Sequence, residues 1–102
     1  MHRYQIKIEF EGSEFVGWQF QKNGNSIQDT VQKAFSKFFK RKMIVQGSGR
    51  TDAGVHAIEQ SAHVDLEQKI QNEDIFLNSI NFYLNKYPIS ITSIKKKNSN
   101  FH

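Results

Sequence analysis

A glycine-rich segment at residues 47–57, GSGRTDAGVHA, separates two stretches that have the pattern of β-strands. It holds three of the six glycines of the chain, and a short apolar run precedes it, while apolar and polar residues alternate after it. Such a segment is typical of a loop, because glycine accepts backbone angles and close approaches that other residues resist. The pattern therefore predicts two strands joined by a loop, which presents one carboxylate, Asp52, near one guanidinium, Arg50.

Four segments have the period of a strand with one buried face. They are residues 4–10, 43–46 and 57–66, and a last segment built on Ile89, Ile91 and Ile94. In the third strand Gln60 shares a face with apolar residues, so a buried Gln60 needs a hydrogen-bond partner. Three lysines, at 95–97, follow this last strand, and a polar tail at residues 98–100 comes after them.

Two segments have the spacing of helices that lay one apolar face on a sheet. Ser26 begins the first, at residues 27–40, with an acid three residues later, as in a capping box. Asn72 begins the second, which must end before Pro88. The order β-α-β-β-α-β predicts an α+β fold of the ferredoxin-like or RRM-like type, an antiparallel sheet with two helices on one face.

Composition narrows the class of protein. The chain has 102 residues, enough for one domain with a modest core. It has no cysteine, which excludes disulfides and thiolate metal sites. No apolar run is long enough for a membrane span or a signal peptide, so we expect a cytoplasmic protein. The net charge of +4 favours an anionic partner such as nucleic acid.

Two groups of residues are candidates for contact with such a partner. The first is the set of cations at the end of the first helix: Lys37, Lys40, Arg41 and Lys42. These cations would complement the helix dipole or bind phosphate, and the sequence leaves both interpretations open. The second group is Trp18 and Gln19, in an aromatic segment after the first strand. Trp18 would pack against the sheet edge or touch a substrate.

The glycine loop matches neither common phosphate-binding motif. A dinucleotide fingerprint requires a third glycine where Asp52 stands, and the loop does not end in the G-K-[ST] of a P-loop. Asp52 and His56 are four residues apart, but no other ligands cluster with them, so no metal site is predicted. Arg50 would hold Asp52 ionised and oriented as a nucleophile, or the two would form an ordinary loop ion pair.

Residues 49–57, GRTDAGVHA, resemble without interruption the catalytic motif of the TruA family of tRNA pseudouridine synthases. Nearer the N-terminus, FEGS at residues 10–13 and GWQ at residues 17–19 resemble the first strand and loop of that family. The segment SIQ at residues 26–28 resembles the start of its first helix. Residues 81–91 are a looser version of the stretch before its domain junction. The resemblance covers essentially all 102 residues.

The resemblance implies isomerisation of uridine to pseudouridine in the anticodon stem-loop of tRNA, without a cofactor or metal. Asp52 would be the nucleophile, attacking the sugar C1′ or the uracil ring, and Arg50 would pair with it and support the flipped base. The resemblance also implies a homodimer and a second domain after residue 102. We therefore expect residues 1–102 to be one domain, the N-terminal half of the catalytic region, and to be inactive alone.

Two other functions fit parts of the sequence. A non-catalytic RNA-binding module of ferredoxin-like fold would display paired aromatic residues on its central strands, and the third predicted strand contains none. A phosphate-binding regulatory domain is suggested by the glycines alone. Both remain alternatives to the enzyme.

Overall fold

The computed structural model describes residues 1–10, 26–47 and 58–98, which contain strands and helices in the predicted order. The elements are β1 (His2–Phe10), α1 (Ile27–Phe39), β2 (Val45–Gly47), β3 (Ile58–Leu66), α2 (Glu73–Tyr83) and β4 (Ile89–Lys97). The strands form one antiparallel sheet in the order β2-β3-β1-β4. This architecture confirms the predicted ferredoxin-like α+β fold.

The sheet has one apolar face and one polar face because its strands alternate with period two. On β1 the side chains of Tyr4, Ile6, Ile8 and Phe10 are buried, and they belong to one core cluster with residues of both helices. The opposite face, here called the polar face, carries the residues between them and their partners on β3: Arg3, Gln5, Lys7, Glu9, Glu59, Ser61, His63 and Asp65. Both helices therefore lie on the apolar face.

The two helices begin at the predicted caps. The hydroxyl of Ser26 accepts a hydrogen bond of 3.0 Å from the backbone N–H of Asp29, and the side chain of Asn72 accepts one of 3.0 Å from Ile75. Each cap satisfies a backbone donor that a helix leaves open at its first turn. Neither described helix is long and apolar enough to cross a membrane.

Aromatic side chains join the two helices above the sheet. Phe35 of α1 is fully buried, and its ring centroid lies 6.2 Å from that of Phe76 in α2. Phe38 packs edge-on against Phe76, with centroids 5.3 Å apart. Offset and edge-on pairs at these distances are favourable geometries for aromatic rings, so this contact fixes α1 against α2.

Side-chain amides from the helices bind the backbone of both edge strands. Val45 on β2 donates its N–H to Gln32 (3.1 Å) and accepts from the side chain of Gln28 through its carbonyl (2.7 Å). On β4, Asn81 of α2 likewise donates to the carbonyl of Ile91 (3.0 Å) and accepts from its N–H (2.8 Å). These contacts occupy backbone groups that an edge strand otherwise leaves available for pairing.

The last strand differs from its prediction. Residues 95–97 pair with residues 3–5 of β1 as part of β4, so the strand continues past Ile94, the last residue predicted for it. The register also shifts between Lys7 and Ile8, whose partners are Ser93 and Ile91. Thr92 is the extra residue of this irregularity, which explains why the buried positions pass from Ile91 to Ile94 in a step of three.

Candidate functional site

The residues predicted to act at the target base lie outside the described part of the chain: Asp52, Arg50, Trp18 and Gln19. Their roles as nucleophile, partner of the nucleophile and RNA contacts stay predictions. The described residues next to these segments show where along the sheet each segment begins or ends.

The two undescribed internal segments adjoin the sheet at neighbouring positions. The first of these segments begins after Phe10, and the second ends before Ile58. Phe10 and Ile58 are directly opposite each other in the β1–β3 register. At the other end of the same pair of strands, His2 is opposite Leu66. We call these the Phe10 end and the Leu66 end, and the segment that contains Asp52 rejoins the sheet at the Phe10 end.

The predicted RNA-binding cations lie toward the Leu66 end. Lys37 is in the last turn of α1, and Lys40 caps that helix in a left-handed conformation, with φ of 56°. Arg41, which follows, pairs with Glu67 just beyond the end of β3. A strand of nine residues such as β3 spans about 27 Å. Arg41 therefore lies at the Leu66 end and Ile58, which follows the glycine loop, at the Phe10 end, while Gly47 before that loop is opposite Ala62 in the middle of β3.

The cations have different surroundings. Nη1 of Arg41 donates a hydrogen bond to Glu67, and this contact holds the pKa of Glu67 below its usual value. Lys37 lines a cavity on the helical side together with Lys33 and Asp29. Lys42 instead shares with Arg41 a cavity at the polar face. The cavity at the polar face is lined by cations from separate parts of the chain, Arg3 of β1 and the pair Arg41 and Lys42 that follows α1.

The cavity shared by Arg41 and Lys42 has a volume of about 300 Å³ and opens on the polar face beside β2 and β3. Its charged and polar lining residues are Arg3, Arg41, Lys42, Gln46, His63 and Asp65. Gln46 and His63 are direct partners in the β2–β3 register, as Arg3 and Asp65 are in the β1–β3 register. The sheet register thus brings residues from three parts of the chain to one place.

Arg3 and Asp65 form a bidentate pair within this cavity. Nε and Nη2 of Arg3 donate to the two carboxylate oxygens of Asp65 at 2.8 and 3.0 Å. These hydrogen bonds are the main reason that the pKa of Asp65 lies below its usual value, and that the pKa of Arg3 lies above its own. Asp65, the carboxylate among the described residues that line the cavity, is therefore held ionised and paired with the guanidinium of Arg3.

His63 is buried although it lies on the polar face. Its side chain is 5% exposed, and it lines the cavity beside Gln46. The sequence did not single out either residue, nor Arg3 or Asp65, as part of a site. The sequence did contain one signal for their position. Side chains of β3 alternate between the two faces of the sheet, so the odd-numbered residues of that strand lie on the face opposite the buried one.

Comparison with known proteins identifies the family. Residues 6–102 match the family model described as tRNA pseudouridine synthase. The chain belongs to the tRNA pseudouridine synthase family. This match includes residues 49–57 and also every residue of the polar-face cavity except Arg3 and Met1.

Individual members of the pseudouridine synthase family are similar over the whole chain. A protein named tRNA pseudouridine synthase A from Pelagibacter ubique is 56% identical over 102 residues, which are all of this chain and 42% of that protein. Its namesake from Ehrlichia ruminantium (strain Welgevonden) is 48% identical over 98% of this chain and 41% of its own length. The one from Maricaulis maris is 37% identical over all of this chain. The chain thus spans about two fifths of the length of the curated relatives it matches.

Proposed function

We propose that this chain supplies the catalytic aspartate, Asp52, of an enzyme that isomerises uridine to pseudouridine in the anticodon stem-loop of tRNA. The observation that carries the proposal is the family match over residues 6–102, which includes the uninterrupted motif at 49–57. The ferredoxin-like sheet supports it, because Ile58, which directly follows that motif, begins a strand in the middle of a four-stranded sheet.

The reaction breaks the N–C glycosidic bond and joins the same base to the same sugar through a ring carbon, so it needs no cofactor and no metal. An ionised Asp52 would attack the sugar C1′ or the uracil ring and later leave again as a carboxylate. Arg50 would orient that carboxylate through a charge-assisted hydrogen bond and support the base once it has left the stack.

The partners follow from the same proposal. The substrate is tRNA, and the basic residues Lys37, Lys40, Arg41 and Lys42 would contact its phosphates, with Trp18 and Gln19 nearer the target base. A second copy of the protein would complete a homodimer, which sedimentation of the purified protein tests. We place the reaction in the cytoplasm, where the substrate is made and used.

Replacement of Asp52 by Asn in the protein that contains this chain tests the proposal. We expect pseudouridine formation to fall to the background rate, because a neutral amide lacks the anionic oxygen that attacks carbon. Binding of tRNA should stay within about threefold, because the amide has nearly the same size and removes a negative charge facing RNA. Single-turnover pseudouridine formation and a tRNA binding titration measure the two effects separately.

A matched control is Asp74→Asn, the same change at an exposed position in the first turn of α2. It should leave both turnover and binding unaltered, whereas Arg50→Ala should lower both. Substantial turnover by Asp52→Asn, or loss of folding with activity, would make Asp52 a structural loop residue. Binding without any turnover by the unaltered protein would favour the non-catalytic RNA-binding module.

A further inference from the structure

We propose that the cavity between Lys42 and His63 on the polar face binds a backbone phosphate of the RNA, at the Leu66 end of the sheet. The inference rests on the proposed function, because that function supplies RNA as the partner. It adds a defined anion site to the predicted cluster of cations, and it brings in two residues outside that cluster, Gln46 and His63.

The cavity is a built site, since separate elements deliver its polar groups. Gln46 on β2 and His63 on β3 are register partners, and α1 binds the backbone of the adjacent Val45 through two glutamines. His63 is 5% exposed, so its imidazole lies within the wall of the cavity and not on a free surface. A buried side chain such as that of His63 loses little conformational freedom when it contacts an anion.

The charges that line the cavity favour an anion. Three cationic side chains, Arg3, Arg41 and Lys42, face one carboxylate, that of Asp65. Arg3 pairs with Asp65 through two hydrogen bonds and Arg41 pairs with Glu67, so among the described residues of the lining the surplus positive charge is that of Lys42. Arg41 also donates to Glu67, but a guanidinium has five N–H donors and one ion pair does not exhaust it.

Size and position suit a phosphodiester. A volume of about 300 Å³ holds a phosphate group with part of its ribose but is too small for a larger folded ligand. The site adjoins Gln46, which immediately precedes the glycine loop, so it would contact an RNA phosphate on the polar face of the sheet. Such a contact positions the RNA and carries no sequence information of its own.

Replacement of Lys42 by Gln tests the inference, with Lys69→Gln as the matched control. Lys69 is an exposed lysine at the same end of the sheet, and it borders a different cavity, on the helical side. We expect Lys42→Gln to weaken tRNA binding about eightfold at 0.1 M salt and to reduce the slope of log affinity against log salt by about 0.9, the value for one lost phosphate contact. Lys69→Gln should change both quantities much less.

A second measurement distinguishes the source of the phosphate. Amide signals of Gln46 and His63 in the ¹⁵N-labelled full chain are followed during titration with tRNA and, separately, with inorganic phosphate. Shifts of both signals on addition of tRNA support the inference. Shifts with inorganic phosphate alone would assign the cavity to a free phosphate and overturn it.

The outcomes also separate this inference from the proposed enzyme. Equal effects of Lys42→Gln and Lys69→Gln in a protein that makes pseudouridine would overturn the cavity and leave the enzyme intact. Conversely, a protein that makes no pseudouridine, yet binds tRNA through Gln46 and His63, would retain the cavity while the proposed reaction fails.

Discussion

Arg3 and Asp65 face each other across β1 and β3 with side chains that are 17% and 39% exposed. The geometry of this pair is bidentate, but exposure to water and salt keeps its contribution to stability small. Its larger effect is local, because it matches a carboxylate that would otherwise repel an anion from the cavity. Arg3 thus links two strands of the sheet and also neutralises a carboxylate on the surface of the cavity.

Acid should weaken the contribution of Asp65 to folding. Its pKa is lower in the folded protein than in the unfolded chain, chiefly through the hydrogen bonds from Arg3. The stabilisation is therefore complete above the unfolded value, about 3.9, and is lost as the pH falls through the lower folded value. Denaturant unfolding of the wild type and of Asp65→Asn between pH 7 and pH 2 measures it: the difference of up to about 1 kcal/mol should shrink toward zero in acid. A difference independent of pH would contradict this explanation.

Single positions differ in how far the sequence predicted them. Gln60 was expected to need a partner if buried, and it is 4% exposed and donates to the carbonyl of Ser61 at 2.7 Å. The position of His63 in a cavity was not predictable, because it depends on its register with Gln46, which lies across the glycine loop. Register between strands distant in sequence is not contained in the periodicity of either one.

At the scale of elements, α1 protects the short strand β2. Gln28 and Gln32 are four residues apart, so they lie on the same side of the helix, and both reach the backbone of Val45. Val45 itself is fully buried. A three-residue edge strand thus gains from a helix the hydrogen bonds that a further strand would otherwise supply.

Replacement of Gln32 by Met should lower the free energy of unfolding by about 1 to 3 kcal/mol, because the buried N–H of Val45 would lose its acceptor. Lys33→Met is the adjacent control: it removes an exposed ion pair with Asp29, worth about 0.5 kcal/mol or less. Urea denaturation gives both values, and the amide of Val45 should exchange faster in Gln32→Met alone. Equal losses in the two variants would show that the amide contact does not stabilise β2.

The elements were predictable to the extent that their signals were local. Both helix caps depend on residues three apart, and the structure confirms them at Ser26 and Asn72. The end of β4 was missed because lysine has a low intrinsic preference for strands, while pairing with the start of β1 outweighs that preference. The step from Ile91 to Ile94 was the one local sign of the irregularity at Thr92.

The whole molecule has functional features at both ends of its sheet. Ile58, which follows the proposed catalytic loop, lies at the Phe10 end, whereas the proposed anion cavity lies toward the Leu66 end and is lined by Gln46, which precedes that loop. The sequence predicted the fold and an anionic partner, since these follow from periodicity and charge. It did not predict this separation, because that depends on the direction in which each strand runs through the sheet.

The pairing of β1 with β4 makes the chain a candidate for circular permutation. Arg3 is the direct partner of Lys97, so the two ends of the described chain lie on adjacent strands, about 4.8 Å apart. A short glycine linker from residue 98 to residue 1, with new termini between Gln68 and Lys69, should give a protein that still unfolds cooperatively on heating, because both residues at the cut are exposed. New termini between Ile6 and Lys7 should prevent folding, since this cut divides the central strand β1. If both permutants unfolded cooperatively at the same temperature, the fold would not require an uninterrupted β1. The order of the elements along the chain would then reflect evolutionary history more than a requirement of folding.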